Sequence, residues 1–245
     1  MRKETLTKFF AACGNLAPDG QITVIGNKAV SSHADTSSVA MFYVECNEFT
    51  APDGVFGVDF AKVETFISSM KEDSGTFDIK EKEQKIVVKF GKTTRSLSLL
   101  NLSTLRPIRP RISQKMPFTC KIEVDKGEFV DIISVMEKGF SAQPNALSKI
   151  EIGYNGKELY VKTSDDPVDF TERSFEVTSV EAGKGDTFKS FYPFDYLKAF
   201  SKIFKKVNSD TLCIAFGNNM PLLCTMRDDD VTVEYLLAQM VEQET

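Results

Sequence analysis

The sequence predicts an α+β fold made of two similar halves, each packing two amphipathic helices on antiparallel sheet. Three observations predict it. Four stretches carry apolar residues at helical spacing, and most of the chain between them alternates at period two. The order helix, strands, helix, strands then occurs twice.

The elements follow in order. A helix over 3–16 aligns Leu6, Phe9, Phe10 and Cys13 on one face. Ile22 to Ile25 and Ala29-Val30 flank the turn signal Gly26-Asn27. A second helix over 59–70 aligns Phe60, Val63, Ile67 and Met70, and strands carrying Phe77, Ile79, Ile86, Val88 and Phe90 come after it. The third helix, over 126–140, aligns Phe129, Ile132, Ile133, Met136 and Phe140. Ile150, Ile152 and Tyr154 run up to Asn155-Gly156, and Leu159 and Val161 run away from it, which predicts a hairpin closed by a type I′ turn. The fourth helix, over 194–206, buries Leu197, Phe200 and Phe204. Leu212, Ile214 and Phe216 form a strand, and Val231, Val233, Tyr235 and Leu237 form the last.

Asp59-Phe60-Ala61-Lys62 and Asp195-Tyr196-Leu197-Lys198 look alike at an offset of 136, with each aspartate expected near a helix N-terminus. Residues 106–117 hold three prolines and no period, and read as an extended linker. The expected organisation is therefore an N-terminal domain over 1–105, a connector over 106–118 and a C-terminal domain over 119–245.

Composition bounds the function. The chain has 245 residues, 42% hydrophobic and 27% charged, an ordinary globular balance for one large or two small domains. No apolar run approaches the ~18 residues of a membrane span, and Met1-Arg2-Lys3-Glu4 leads into a patterned segment, unlike a signal peptide. Five scattered cysteines without a C-x-x-C pair argue against a disulfide scaffold and a zinc site, and suit a reducing compartment. The single histidine, His33, argues against a Ser-His-Asp triad and a multi-histidine metal centre, and reads as a surface or packing residue. Net charge is -5, unevenly spread: residues 1–118 hold 16 bases against 13 acids, residues 119–245 hold 14 against 22.

No phosphate-binding glycine loop, H-E-x-x-H or G-x-S-x-G occurs, and Ala182 to Asp186 is a polar turn. Asp165-Asp166 and Asp228-Asp229-Asp230 fall between strands and read as solvated loops in preference to Mg²⁺ sites. No catalytic cluster, metal or cofactor is expected. The informative feature is the fourth helix. Lys198, Lys202, Lys205 and Lys206 line its face opposite Leu197, Phe200, Ile203 and Phe204. Aligned lysines repel each other. The stripe is either a solvated face or a surface for phosphates. It holds no arginine or aromatic residue to read or stack bases.

Several segments resemble the archaeal and eukaryotic sliding clamps of the proliferating cell nuclear antigen (PCNA) family. They are Asp195-Tyr196-Leu197-Lys198, the run Phe216 to Leu222, and Val233 to Ala238 with a short acidic tail. Ser32 to Val39, Phe56-Gly57-Val58-Asp59, Leu99 to Leu102 and Met116 to Thr119 add to them in the first half and connector. The resemblance covers nearly the whole chain. It implies a non-enzymatic homotrimeric ring of two-domain chains with helices lining the hole, through which duplex DNA passes without sequence readout. DNA polymerase, clamp loader, flap nuclease and ligase partners would dock through short peptides. The compartment would be the nucleoid-associated cytoplasm of an archaeon or the nucleus of a eukaryote. An acidic exterior with a basic lining would steer DNA into the hole.

Residue by residue, the resemblance implies DNA contacts at Lys198, Lys202, Lys205 and Lys206, with Lys8, Lys62, Lys71 and Lys138 as weaker contributors. It implies a peptide pocket walled by Ala34, Val39 and Met41, by Ile112 and Met116 of the connector, and by Pro221, Leu236, Leu237 and Ala238. It places a subunit interface on Arg95, Leu97 and Leu99 of one chain and Phe170, Phe175 and Val177 of the next. The sequence departs from the family in three ways. The helix pattern starts almost at Met1 where the family begins with a strand, Gln239 stands where a proline is usual, and the connector is basic through Arg106, Arg109, Arg111 and Lys115. Two alternatives remain open: a clamp-like paralogue within a hetero-oligomeric, checkpoint-type ring, and an α+β enzyme, which would need a polar cluster that the sequence does not offer.

Overall fold

A computed structural model describes residues 1–111, 116–140, 149–163, 170–182 and 186–240. Ile112, Lys115, Asp165-Asp166 and Gly183 to Gly185 lie outside the described residues. The chain divides into two compact units: Met1–Ile112 with Arg227–Val233, and Ser113–Met226 with Glu234–Thr245.

Unit 1 opens with α1 (Lys3–Gly14), then β1 (Asp19–Ile25), β2 (Lys28–Ala34), β3 (Ala40–Cys46) and β4 (Gly54–Asp59). Then follow α2 (Phe60–Ser69), β5 (Gly75–Lys80), β6 (Lys85–Phe90) and β7 (Thr93–Ser98). Its strands make two antiparallel groups, β3-β2-β1-β4 and β5-β6-β7. Leu6, Phe9, Phe10 and Cys13 of α1 are fully buried, as the spacing predicts, and α1 packs beside α2. Phe10 and Phe49 both meet Phe77, at 5.4 and 5.2 Å between ring centroids. Asp59 caps α2, its carboxylate accepting from Lys62 N–H at 2.8 Å.

Unit 2 runs β8 (Cys120–Asp125), α3 (Lys126–Phe140), β9 (Lys149–Tyr154), β10 (Leu159–Thr163), β11 (Glu172–Phe175) and β12 (Ser179–Glu181). It continues with β13 (Phe188–Pro193), α4 (Phe194–Phe204), β14 (Thr211–Phe216) and β15 (Leu222–Arg227). The groups are β12-β8-β14-β15 and β11-β10-β9-β13. The last strand, β16 (Val231–Leu237), has its first three residues in unit 1 and the rest in unit 2. Phe200 stacks on Tyr235 at 4.2 Å, and Phe129 meets Phe204 and Phe175 at 6.4 and 6.0 Å.

Two local expectations are corrected. The hairpin at Asn155-Gly156 forms, with Tyr154 opposite Leu159, but only Gly156 has positive φ, so the turn is not type I′. The Asn155 carboxamide accepts from Lys157 and Glu158 N–H at 3.0 and 2.8 Å, and this Asx turn organises a four-residue loop instead. The offset of 136 also fails as the register of the repeat. Phe60 and Phe194 are the buried first residues of α2 and α4, so Asp59 caps its helix while Asp195 sits inside the first turn of the other. Burial of the apolar stripe sets the register, and the look-alike tetrapeptides are two residues out of step.

Candidate nucleic-acid interface

In unit 2, α3 and α4 lie side by side. Leu197, Phe200, Ile203 and Phe204 of α4 are buried, which turns Lys202, Lys205 and Lys206 to solvent and leaves Lys198 half-buried. Between the lysines stands an acid whose place the sequence did not reveal. Lys198 Nζ lies 2.8 Å from Glu137 Oε1 of α3. That hydrogen bond, with the fields of Lys202 and Lys205, holds the Glu137 carboxyl below its ordinary range against slight burial. One carboxylate therefore relieves the repulsion of three ammonium groups, and the patch stays net basic. Lys138 of α3 is exposed beside it.

In unit 1 the predicted lysines behave differently. Lys62 is exposed and pairs with Asp59 at 2.8 Å, and Lys71 is exposed just beyond α2. Lys8 is not available to DNA, which corrects that assignment. Its side chain is 5% exposed, and Nζ lies 2.6 Å from both Glu4 Oε1 and Asp228 Oδ2. The same contacts correct the reading of residues 228–230 as a solvated loop. Asp230 is 4% exposed and accepts from Thr5 Oγ1 at 2.7 Å and from Arg2. Asp228 also accepts from the N–H groups of Asp230 and Val231 at 3.0 and 2.8 Å. The acids complete unit 1 by neutralising the first turns of α1. Sequence gave no sign of this, because the partners lie more than two hundred residues apart.

The basic connector is also partly engaged. Arg106 donates to the carbonyls of Ala34 and Asp35 at 3.3 and 2.9 Å, and Arg109 N–H to Ser32 O at 3.2 Å. Arg111 lies over the Tyr43 ring at 4.8 Å. Of the predicted pocket residues, Ala34 and Met41 face each other across β2 and β3 and are buried, and Val39 is half-buried. Met116, Pro221, Leu236 and Ala238 are half-buried. Leu237 is fully buried in the core, so its assignment to a groove wall is corrected. A cleft of about 220 Å³ in unit 1 touches only Ala34 of that set, beside Asp19, His33 and Arg106. His33 is a packing residue there: burial lowers its imidazole pKa, and Nε2 lies 3.1 Å from both N and O of Gln21.

The predicted interface strands are edges. β7 pairs only with β6 and β11 only with β10 among the described residues. Arg95 lies over Phe66 at 5.8 Å, and Leu97, Leu99 and Val177 are half-buried. Phe170 is 48% exposed under the Lys162 ammonium. Phe175 is 1% exposed and belongs to the core beside Phe129, so as a side chain offered to a neighbour it is corrected. Among the described residues no cluster of ligating side chains could hold a metal ion, and no helix is long and apolar enough to cross a membrane.

No protein-family model matches the chain. Curated relatives do. A DNA polymerase sliding clamp of Methanothrix thermoacetophila is 26% identical over 98% of this chain and 97% of the relative. One from Archaeoglobus fulgidus is 27% identical over 98% and 96%. Among solved structures, A. fulgidus PCNA bound to the C-terminal region of FEN-1 superposes with a TM-score of 0.82 at 23% identity, covering 100% of this chain and 98% of that one. PCNA from Thermococcus kodakaraensis gives 0.79 at 17% identity, covering 98% of each. Along nearly its whole length the chain is similar in sequence to archaeal DNA polymerase sliding clamps, and in fold to archaeal PCNA.

Proposed function

We propose that the protein is a DNA sliding clamp, a non-catalytic processivity factor that encircles duplex DNA as a homotrimer and tethers polymerase and repair enzymes. The observation that carries this reading is the α4 face, where Lys198, Lys202 and Lys205 all act on Glu137 and the buried aromatic stripe fixes their direction. Such a patch attracts a phosphate backbone through counterion release and reads no bases. The likeness of the chain to archaeal clamps along nearly its whole length supports a ring. The open edges of β7 and β11 support pairing of one chain with the next, since exposed edges are ordinarily covered.

Partners of the flap-nuclease kind follow by analogy with the A. fulgidus complex, in which a FEN-1 C-terminal region is bound. On this chain the half-buried Val39, Met116, Pro221, Leu236 and Ala238 are the groove residues we assign to such a peptide, together with Ile112. Polymerase, loader and ligase belong to the same class of partner.

Topological retention tests the function. Loaded onto nicked circular plasmid, the protein should stay with the DNA through gel filtration and leave it when the plasmid is linearised. Equal loss from circle and linear DNA would overturn the reading. Sedimentation separates the paralogue alternative: three 27.4 kDa chains give about 82 kDa, whereas a hetero-ring subunit runs as a monomer until its partners are added.

A further inference from the structure

The chain's one histidine sits where the sheet of unit 1 forks. β1 and β2 pair from Ile25 opposite Lys28 to Thr23 opposite Val30, and there their ladder stops. Beyond it each strand keeps its other neighbour. β1 stays with β4 as far as Asp19 opposite Asp59, and β2 stays with β3 as far as Ala34 opposite Met41. Alternate pairs of an antiparallel ladder exchange backbone hydrogen bonds, beginning with the pair that closes a two-residue turn. A continued ladder would therefore join Gln21 to Ser32 and Asp19 to Ala34.

Other groups take those bonds. Gln21 N–H donates to His33 Nε2 at 3.1 Å, and Gln21 O accepts from Ser31 Oγ at 2.9 Å. On the β2 side, Ser32 O accepts from Arg109 N–H at 3.2 Å, and Ala34 O from the Arg106 guanidinium at 3.3 Å. The connector thus lies on two carbonyls that a continued β1 would have met. Gly20 admits the imidazole: a Cβ there would stand 2.6 Å from Nε2 and 2.8 Å from the Phe60 ring. The cleft of about 220 Å³ opens at the mouth of the fork, beside Asp19, Gly20, His33 and Ala34. Burial, aided by the Arg106 charge, outweighs Gln21 O and Asp19 and lowers the imidazole pKa, so the ring is uncharged at neutral pH. With Gln21 O already served by Ser31, the tautomer protonated on Nδ1 satisfies both backbone groups of Gln21.

We propose that His33 is a positioning residue for the connector: by holding Gln21 N–H it keeps the fork open, and the open fork leaves Ser32 O and Ala34 O to seat Arg109 and Arg106. Without an acceptor at position 33, the buried Gln21 N–H turns to Ser32 O, the carbonyl that the register sets opposite it, because a buried donor left unpaired is costly. Arg109 then loses its seat. The seating concerns unit 1 alone, and its effect on a partner peptide rests on the clamp reading.

The test uses NMR on the full chain. The ¹⁵N shifts of the one imidazole should show a proton on Nδ1 and none on Nε2. Arg109 N–H should exchange roughly ten-fold slower than in an unfolded chain. His33→Leu, which lacks an acceptor, should quicken that exchange roughly ten-fold. His33→Gln, whose carboxamide oxygen can accept, should leave it near the original rate. Four results would overturn the proposal: a proton on Nε2, an unprotected Arg109 N–H in the unsubstituted chain, equal Arg109 exchange in the two variants, or faster exchange spread over all of unit 1, which is what lost packing alone gives. The first two need no substitution and decide the matter even if His33→Leu does not fold. A labelled flap-nuclease-type peptide should bind several-fold more weakly to His33→Leu and unchanged to His33→Gln. Equal affinities beside the expected exchange rates would count against the groove assigned above and leave the seating in place.

Discussion

Lys8 Nζ donates to Asp228 Oδ2 at 2.6 Å, joining residues 220 positions apart, and both side chains are more than nine-tenths buried. The contact takes a lysine that sequence assigns to DNA and makes it part of the structure of unit 1. In unit 2, by contrast, Lys202, Lys205 and Lys206 face solvent.

Lys8→Met should lower stability by about 3 kcal/mol in urea unfolding, because it leaves Asp228 buried without its ammonium. Lys8→Met with Asp228→Asn should recover part of that loss. DNA affinity should be unchanged in both. A variant of native stability that binds DNA less tightly would return Lys8 to the interface.

Acid should weaken unit 1 in two stages. Burial lowers the His33 imidazole below its ordinary value. Its contribution is present above the unfolded value of about 6.5 and is lost progressively as pH falls toward the lower folded one. Burial pushes the Asp228 carboxyl up, but Lys8 and the N–H groups of Val231 and Asp230 outweigh it and hold it low. That contribution is present above the unfolded value of about 3.9 and is lost as pH falls through the folded value. Unfolding midpoints between pH 7.5 and 3 should show both steps, and His33→Gln should remove only the first.

Removing the α4 ammonium groups should weaken DNA binding and flatten its salt dependence. The triple change Lys198→Ala, Lys202→Ala, Lys205→Ala should reduce the slope of log K against log salt by about 2 to 3. Glu137→Gln should tighten binding modestly, because it frees Lys198 from its ion pair with α3. Fluorescence anisotropy over a salt series measures both, and an unchanged slope would place the DNA elsewhere.

Ser98→Pro should dissociate the assembly while leaving the chain folded. Leu99 N–H donates to Gln84 O on the β6 side, so by alternation the Ser98 N–H points outward from β7. Proline there removes one donor from the free edge and none from the ladder inside the chain. Sedimentation should show a fall from trimer to monomer with unchanged circular dichroism; a trimer that persists would rule out this edge.

Within the connector, Arg109 is exposed, and its backbone N–H donates to Ser32 O. Arg109→Ala should slow association of an acid-flanked partner peptide at low salt and matter little at high salt. Arg106→Ala should act differently, raising mobility of the connector, because Arg106 already binds two carbonyls of unit 1. Stopped-flow association rates and hydrogen exchange over residues 106–111 distinguish the two effects.

What the sequence determined by itself is what depends on near neighbours. Helices fall where apolar residues recur every three to four positions and strands where they alternate, because those periods follow from backbone geometry. The α4 lysine stripe was legible for the same reason: burying Phe200 and Phe204 fixes where Lys198, Lys202 and Lys205 point. The tertiary structure decided what depends on distant partners. Which lysine faces solvent was settled by Asp228 for Lys8 and by Glu137 for Lys198. Phe175 went to the core by packing, with no local mark to distinguish it from an edge residue, while Leu237 followed the alternation of its own strand with Val231, Val233 and Tyr235. A charge or an aromatic ring carries no record in its own neighbourhood of the group that will meet it. Coulomb and packing energies depend on distance in space, and only the folded chain sets that distance.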